Sequence, residues 1–146
     1  MKNDMKMVED ITRKSFYNIY IPGCIEHYLI HIMRGHKDFI KELDFVLELN
    51  GEVIGNIMYT KAKLIDETGK EKNILTFENE KYPSAMLVKE LIPNVLEGHK
   101  WVYSHSPVMN ISVEEAQKYD DTLEPMEKKF LPSQEEFYIM SRSFIE

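Results

Sequence analysis

The chain has 146 residues, enough for one domain built on one core. Hydrophobic residues make up 43%, which excludes a wholly disordered chain, and a formal net charge of -7 argues against a nucleic-acid partner, whose phosphates need clustered Lys and Arg. No apolar run is long enough to span a bilayer, residues 1–6 lack the apolar core of a leader, and the single cysteine, Cys24, permits no internal disulfide, so a reducing cytoplasm is the expected compartment.

In chain order, residues 4–19 read as a first helix, capped by Asp4 and buried along Met7, Val8, Ile11 and Ser15. Pro22-Gly23 breaks the chain. A second helix is predicted over residues 24–34. Its apolar stripe is Ile25, Tyr28, Leu29, Ile32 and Met33, and Gly35 is the expected stop. Asn50-Gly51 then joins two β-rich runs, residues 45–49 and 52–60, as a hairpin, because both turn residues tolerate positive φ. Both faces of the returning run carry apolar residues, so it is expected inside a sheet, and Gly55 marks a bulge or a close contact. A charged loop with Gly69 at its turn leads to a third strand at residues 73–77. A polar turn, Glu78-Asn79-Glu80-Lys81-Tyr82-Pro83, ends that strand early.

Residues 85–91 and 100–106 read as an antiparallel pair around a turn at 92–98, and 73–77 is expected beside 100–106. Ser112-Val-Glu-Glu115 has the spacing of a capping box and opens a short helix to about Asp120. A loop runs from 121 to 132, and Ser133-Gln-Glu-Glu136 repeats the capping pattern before a last short helix. Nothing divides the chain, so residues 1–146 are taken as one domain.

His27 and His31, four apart, could present two imidazoles to one metal, with Cys24 or His36 as a third ligand. They lie opposite the apolar stripe, and the reading preferred is two solvent-facing histidines and no metal. Cys24 stands at a helix start, where a thiol pKa can fall, but the preferred reading is a semi-buried structural thiol. Phe16, Tyr17, Tyr20 and Tyr28 are expected to cluster near the Pro-Gly break, and Trp101 and Tyr103 alternate on a strand. Each set could line a pocket, and packing explains each more simply. The carboxylates Glu48, Asp66, Glu67, Glu71, Glu78 and Glu80 show no acid-base spacing, so the catalytic residues stay unassigned.

Several stretches carry a resemblance: Tyr20-Ile-Pro-Gly-Cys-Ile-Glu-His-Tyr-Leu29, Glu42-Leu-Asp-Phe-Val46, Gly55-Asn-Ile-Met-Tyr-Thr-Lys-Ala-Lys-Leu64, Ile74-Leu-Thr-Phe77, Leu87-Val-Lys-Glu-Leu91 and Ser133-Gln-Glu-Glu-Phe137. Together they resemble the GNAT superfamily of acetyl-CoA-dependent N-acetyltransferases, in particular a bacterial branch of predicted acetyltransferases. The resemblance implies an α+β fold: a partial GNAT-like domain with a twisted, mostly antiparallel sheet of about five strands and two N-terminal helices packed on it. It also implies acetyl transfer to a small-molecule amine. In that family the strand matching 73–77 continues into a glycine-containing turn of the type Arg/Gln-x-x-Gly-x-Gly/Ala and a helix, whose backbone N–H groups hold the cofactor pyrophosphate. A further strand follows. Here Phe77 meets Glu78 directly, as if several dozen residues were deleted at about 77–82, and the acidic turn has no glycine. No cofactor-binding residue carries over, and no acetyl-CoA binding is expected of this chain. The resemblance with its gap therefore implies an impaired or inactive acetyltransferase. The alternative is a non-catalytic interaction or small-ligand-binding remnant, and the exposed sheet edges are expected to favour a homo-oligomer.

Overall fold

The structure is a computed structural model and describes residues 2–69, 71–72, 82–83 and 89–145. The class is α+β. Helix α1 spans Lys2–Phe16 and α2 spans Glu26–Met33. Asp4 therefore lies inside α1, not at the position before it. Val8 and Thr12 form the buried stripe of α1, and Ser15 is exposed. The Pro22-Gly23 break is present, with Asn18 at φ 65° and Gly23 at φ 95°. Asn18 Oδ1 accepts from the Gly23 and Lys129 amides and so pins the turn. Helix α2 ends without a left-handed Gly35; the Gly35 N–H closes a tight turn onto Ile32 O at 3.2 Å.

Strands β1 (Phe45–Leu49) and β2 (Glu52–Ile57) form the expected hairpin, with Asn50 at φ 53° and Gly51 at φ 84°. The register slips between Leu47 and Glu48, opposite Gly55 and Val53, which is the bulge expected at Gly55. The sheet around it is not the expected one. Among the described residues β1 and β2 form a two-stranded sheet, and β2 is not internal. The chain after Ile57 spends its hydrogen bonds on the segment before β1. Ile40 N–H donates to Tyr59 O, Lys61 N–H donates to Asp38 O, and Phe39 bridges Thr60.

A second sheet has the order β4–β3–β6, with β3 Lys63–Asp66, β4 Glu71–Lys72 and β6 Trp101–Ser104, all antiparallel. Gly69, at φ 80°, makes the β3–β4 turn as expected. The strand at 73–77 lies outside the described residues. The described partner of β6 is β3, which was not expected. Residues 85–88 also lie outside the described residues, and 89–91 are not strand. The turn through 92–98 is present. β5 (Tyr82–Pro83) pairs with β7 (Phe144–Ile145) as a third, minimal sheet. Among the described residues the expected continuous sheet of about five strands is thus corrected to three small ones.

Helix α3 spans Val113–Asp120, and Ser112 Oγ caps it by accepting from the Glu115 N–H. Helix α4 spans Pro132–Met140. Its start is not a Ser133 cap. Pro132 takes the first helical position, where its fixed φ fits, and Ser133 Oγ instead donates to Ile19 O. The core gathers Val8, Ile30, Met33, Val108 and Ala116 around the helices, with Leu64 and Trp101 in the second sheet. Among the described residues no helix is long and apolar enough to cross a membrane.

Candidate functional site

The helices α1, α2 and α3 meet around a buried charge cluster. Arg13, near the C-terminal end of α1, donates from Nε to Asp120 Oδ1 at 2.7 Å and from Nη1 to Glu124 O at 2.9 Å. His27 Nε2 lies 3.3 Å from the same carboxylate oxygen, but at an angle that makes no hydrogen bond. His27 is 0% exposed. The reading of two solvent-facing histidines is therefore corrected: His31 faces solvent and His27 does not. The reason is tertiary. Helix α2 packs against α1, α3 and the tight turn Pro107–Met109, so more than its apolar stripe is covered. The buried positions are His27, Ile30 and Met33, whereas Leu29 and Ile32 are only half-buried.

Burial pushes the His27 pKa down. The Asp120 charge opposes that shift and the Arg13 charge reinforces it. Arg13, which makes the direct hydrogen bond to Asp120, already neutralises the carboxylate, so His27 stays a neutral imidazole. Fully buried, it is closed to a substrate and acts as packing. Cys24 is buried too, and its thiol donates to Glu26 Oε2 at 3.2 Å. Burial pushes the thiol up to about 12, and the neighbouring His27 backbone N–H only partly offsets this. A thiol held in that state is no nucleophile at neutral pH.

Above the cluster lies a hollow of about 280 Å³. Tyr119, Glu9, Asp10 and His31 border it, with His27 at its buried side. Tyr119 donates its hydroxyl to Glu9 Oε2 at 2.7 Å and stacks on His31, ring centroids 4.4 Å apart. His31 Nδ1 sits 3.3 Å from Glu9 Oε1. Burial, and then the hydrogen bond to Glu9, push the Tyr119 pKa up, so the phenol keeps its proton. The hollow mixes the carboxylates of Glu9 and Asp10 with Lys6 beside the Tyr119 ring, and Glu9 already faces His31 and Arg34 as well as the Tyr119 hydroxyl, so the lining selects no single ligand charge. It does not make a metal centre: among the described residues no group of three or more His, Cys, Asp and Glu could hold one. His36 is engaged elsewhere, accepting at Nδ1 from the Asp38 N–H.

The expected aromatic cluster divides. Tyr28 turns toward Tyr119, with centroids 5.5 Å apart, while Tyr20 stacks near Phe16 and Phe137. Tyr17 is buried and donates to Met126 O. Trp101 is core, its indole N–H donating to Leu96 O at 2.9 Å, and Tyr103 beside it is half-buried. Of the carboxylates, Asp66 accepts from the Thr68 N–H and hydroxyl in a local turn, and Glu67 accepts from the Lys100 N–H. Glu48 is exposed, Glu71 has only its backbone described, and Glu78 and Glu80 lie outside the described residues. Reading along the chain missed Glu9, Arg13, Tyr119 and Asp120. Their partners lie 107 to 110 positions away, and no local spacing marks such pairs.

No family model, curated protein or solved structure matches the chain.

Proposed function

We propose that this chain is a GNAT-like acetyltransferase scaffold that has lost its acetyl-CoA site, and that it works as a non-catalytic small-ligand or interaction module. In this reading the N-terminal helices and the β1–β2 hairpin are the retained half of the scaffold. The observation that carries the reading is a sheet face left largely exposed among the described residues. α1 packs on one side of β2, where Thr12 Oγ1 donates to Asn56 Oδ1. On the other side Phe45, Leu47, Leu49 and Ile57 remain 52%, 60%, 57% and 56% exposed. A sheet face this apolar is normally covered by a second layer. The resemblance implies that a helix and a strand are missing from the same fold. The sequence adds that Glu78-Asn-Glu-Lys81 holds no glycine and carries net negative charge, which opposes pyrophosphate binding.

In this reading the small ligand is a primary amine, the substrate class of the resembled family. Acetyl transfer would also need the thioester held beside that amine, and no residue of this chain is assigned to hold it. We place the module in the cytoplasm, on the ground of its single buried cysteine. Isothermal titration with acetyl-CoA tests the proposal, and no saturable binding is expected. A dissociation constant in the micromolar range, or acetylation of a primary amine by the purified chain, would overturn it.

A further inference from the structure

Among the described residues strand β1 is an edge strand, and all five of its residues are exposed. Phe45, Leu47 and Leu49 share one face, and Val46 and Glu48 share the other. The bulge does not disturb this alternation. Leu47 pairs with Gly55 and Glu48 with Val53, so the extra residue, Ile54, belongs to β2. The outer edge of β1 is therefore regular and apolar, with one charge, at Glu48.

The position of that charge selects an occupant for the edge. An antiparallel copy of the same strand keeps its Phe45, Leu47 and Leu49 on the same face only in registers two residues apart, because a slip of one residue turns them to the other side. With Leu47 opposite Leu47, Phe45 lies opposite Leu49 and Glu48 lies opposite Val46. A slip of two residues one way sets Glu48 against Glu48, and a slip the other way sets it against Asp44. Like charges directly opposite destabilise a strand pair. The central register matches apolar to apolar and keeps the carboxylates apart.

We infer that the outer edge of β1 pairs antiparallel with β1 of a second copy of this chain, about a two-fold axis at Leu47. Two hairpins thereby join into one sheet, and their exposed faces, which also carry Ile57, become continuous. Two five-residue edges bury less than a standard interface, so the dimer is expected at chain concentrations of about 100 μM and above. The inference does not rest on the acetyltransferase reading, since it uses only the edge of β1.

Disulfide cross-linking of the full chain tests the register. In this pairing the two Leu47 Cα atoms are about 5 Å apart, within disulfide reach, whereas the two Phe45 Cα atoms are offset by four residues, about 14 Å, and are out of reach. Leu47→Cys is expected to form a covalent dimer under mild oxidation at least about fivefold faster than Phe45→Cys. Both positions are similarly exposed and both variants keep the buried Cys24, so random collision favours neither. Sedimentation equilibrium tests the contact between Val46 and Glu48. Val46→Lys is expected to tighten the dimer about threefold. Adding Glu48→Lys should cancel that gain, although it brings the net charge of -7 nearer zero. All four positions are exposed, so the variants are expected to keep the melting temperature of the unaltered chain in dilute solution. A monomer at every concentration to about 1 mM would overturn the inference. So would a double variant that dimerises as tightly as V46K, or equal cross-linking at 45 and 47, which is the result that stacking of two apolar faces gives.

Discussion

Asp120 is the residue on which the helical half turns. It is buried at the end of α3 and accepts from Arg13 at 2.7 Å, with His27 beside the same oxygen. Asp120→Asn leaves the Arg13 guanidinium buried without a counter-charge, and chemical denaturation is expected to show a loss of about 3 kcal/mol. Replacing both partners, Arg13→Met with Asp120→Leu, should recover part of that loss, because an apolar pair needs no charge compensation. His27 adds a pH dependence. Its folded pKa lies below the ordinary 6.5 because burial disfavours the imidazolium. Between 6.5 and the lower folded value the unfolded chain binds more protons than the folded one, so stability rises with pH across that window and falls as pH drops through it. Urea unfolding from about pH 5 to about pH 8 should show this slope, and His27→Gln should flatten it. In the sequence His27 reads as solvent-facing, because periodicity places it opposite the apolar stripe. Burial by α1 and α3 overrides that pattern.

Elements set by adjacent residues are the ones that local chemistry predicts well. The Asn50-Gly51 hairpin, the Gly69 turn and the Ser112 cap each depend on a few neighbouring residues. Helix α2 shows where this stops. A period of 3.6 ranks Leu29 and Ile32 as the core positions, yet Ile30 is buried and Leu29 is half-buried. Thermal melting of two variants separates these views. Ile30→Ala should cost about 2–4 kcal/mol as a cavity in a packed site, and Leu29→Ala about 1 kcal/mol. Equal losses would return the helix to its sequence-derived face. The end of β2 carries the same lesson. Its continuing β-branched and aromatic run predicts strand to residue 60. The strand stops at Ile57 because residues 38–40 take the hydrogen bonds at Tyr59 and Lys61.

At the scale of the molecule the largely exposed face of the hairpin has the largest consequence. Among the described residues the outer edge of β1 meets no strand, and the run Phe-Val-Leu-Glu-Leu holds one charge and no proline to protect it. Light scattering coupled to size-exclusion chromatography is expected to show self-association that grows with concentration. Leu47→Lys, at the centre of that face, should shift the distribution toward monomer. A monomer at every concentration would mean that the face is covered within the chain.

The sequence alone determined the hairpin and its bulge, the Pro-Gly break, the Gly69 turn and the α3 cap. All of these follow from residues a few positions apart, whose φ preferences and hydrogen bonds are local. Only the tertiary structure decided that the described strands form three small sheets, that His27 is buried against Asp120 and Arg13, and that the Gln134 side-chain amide is buried and held on the Asn18 and Lys129 carbonyls. Those outcomes depend on which distant surfaces meet, because burial and buried charge pairing are set by partners about a hundred residues away.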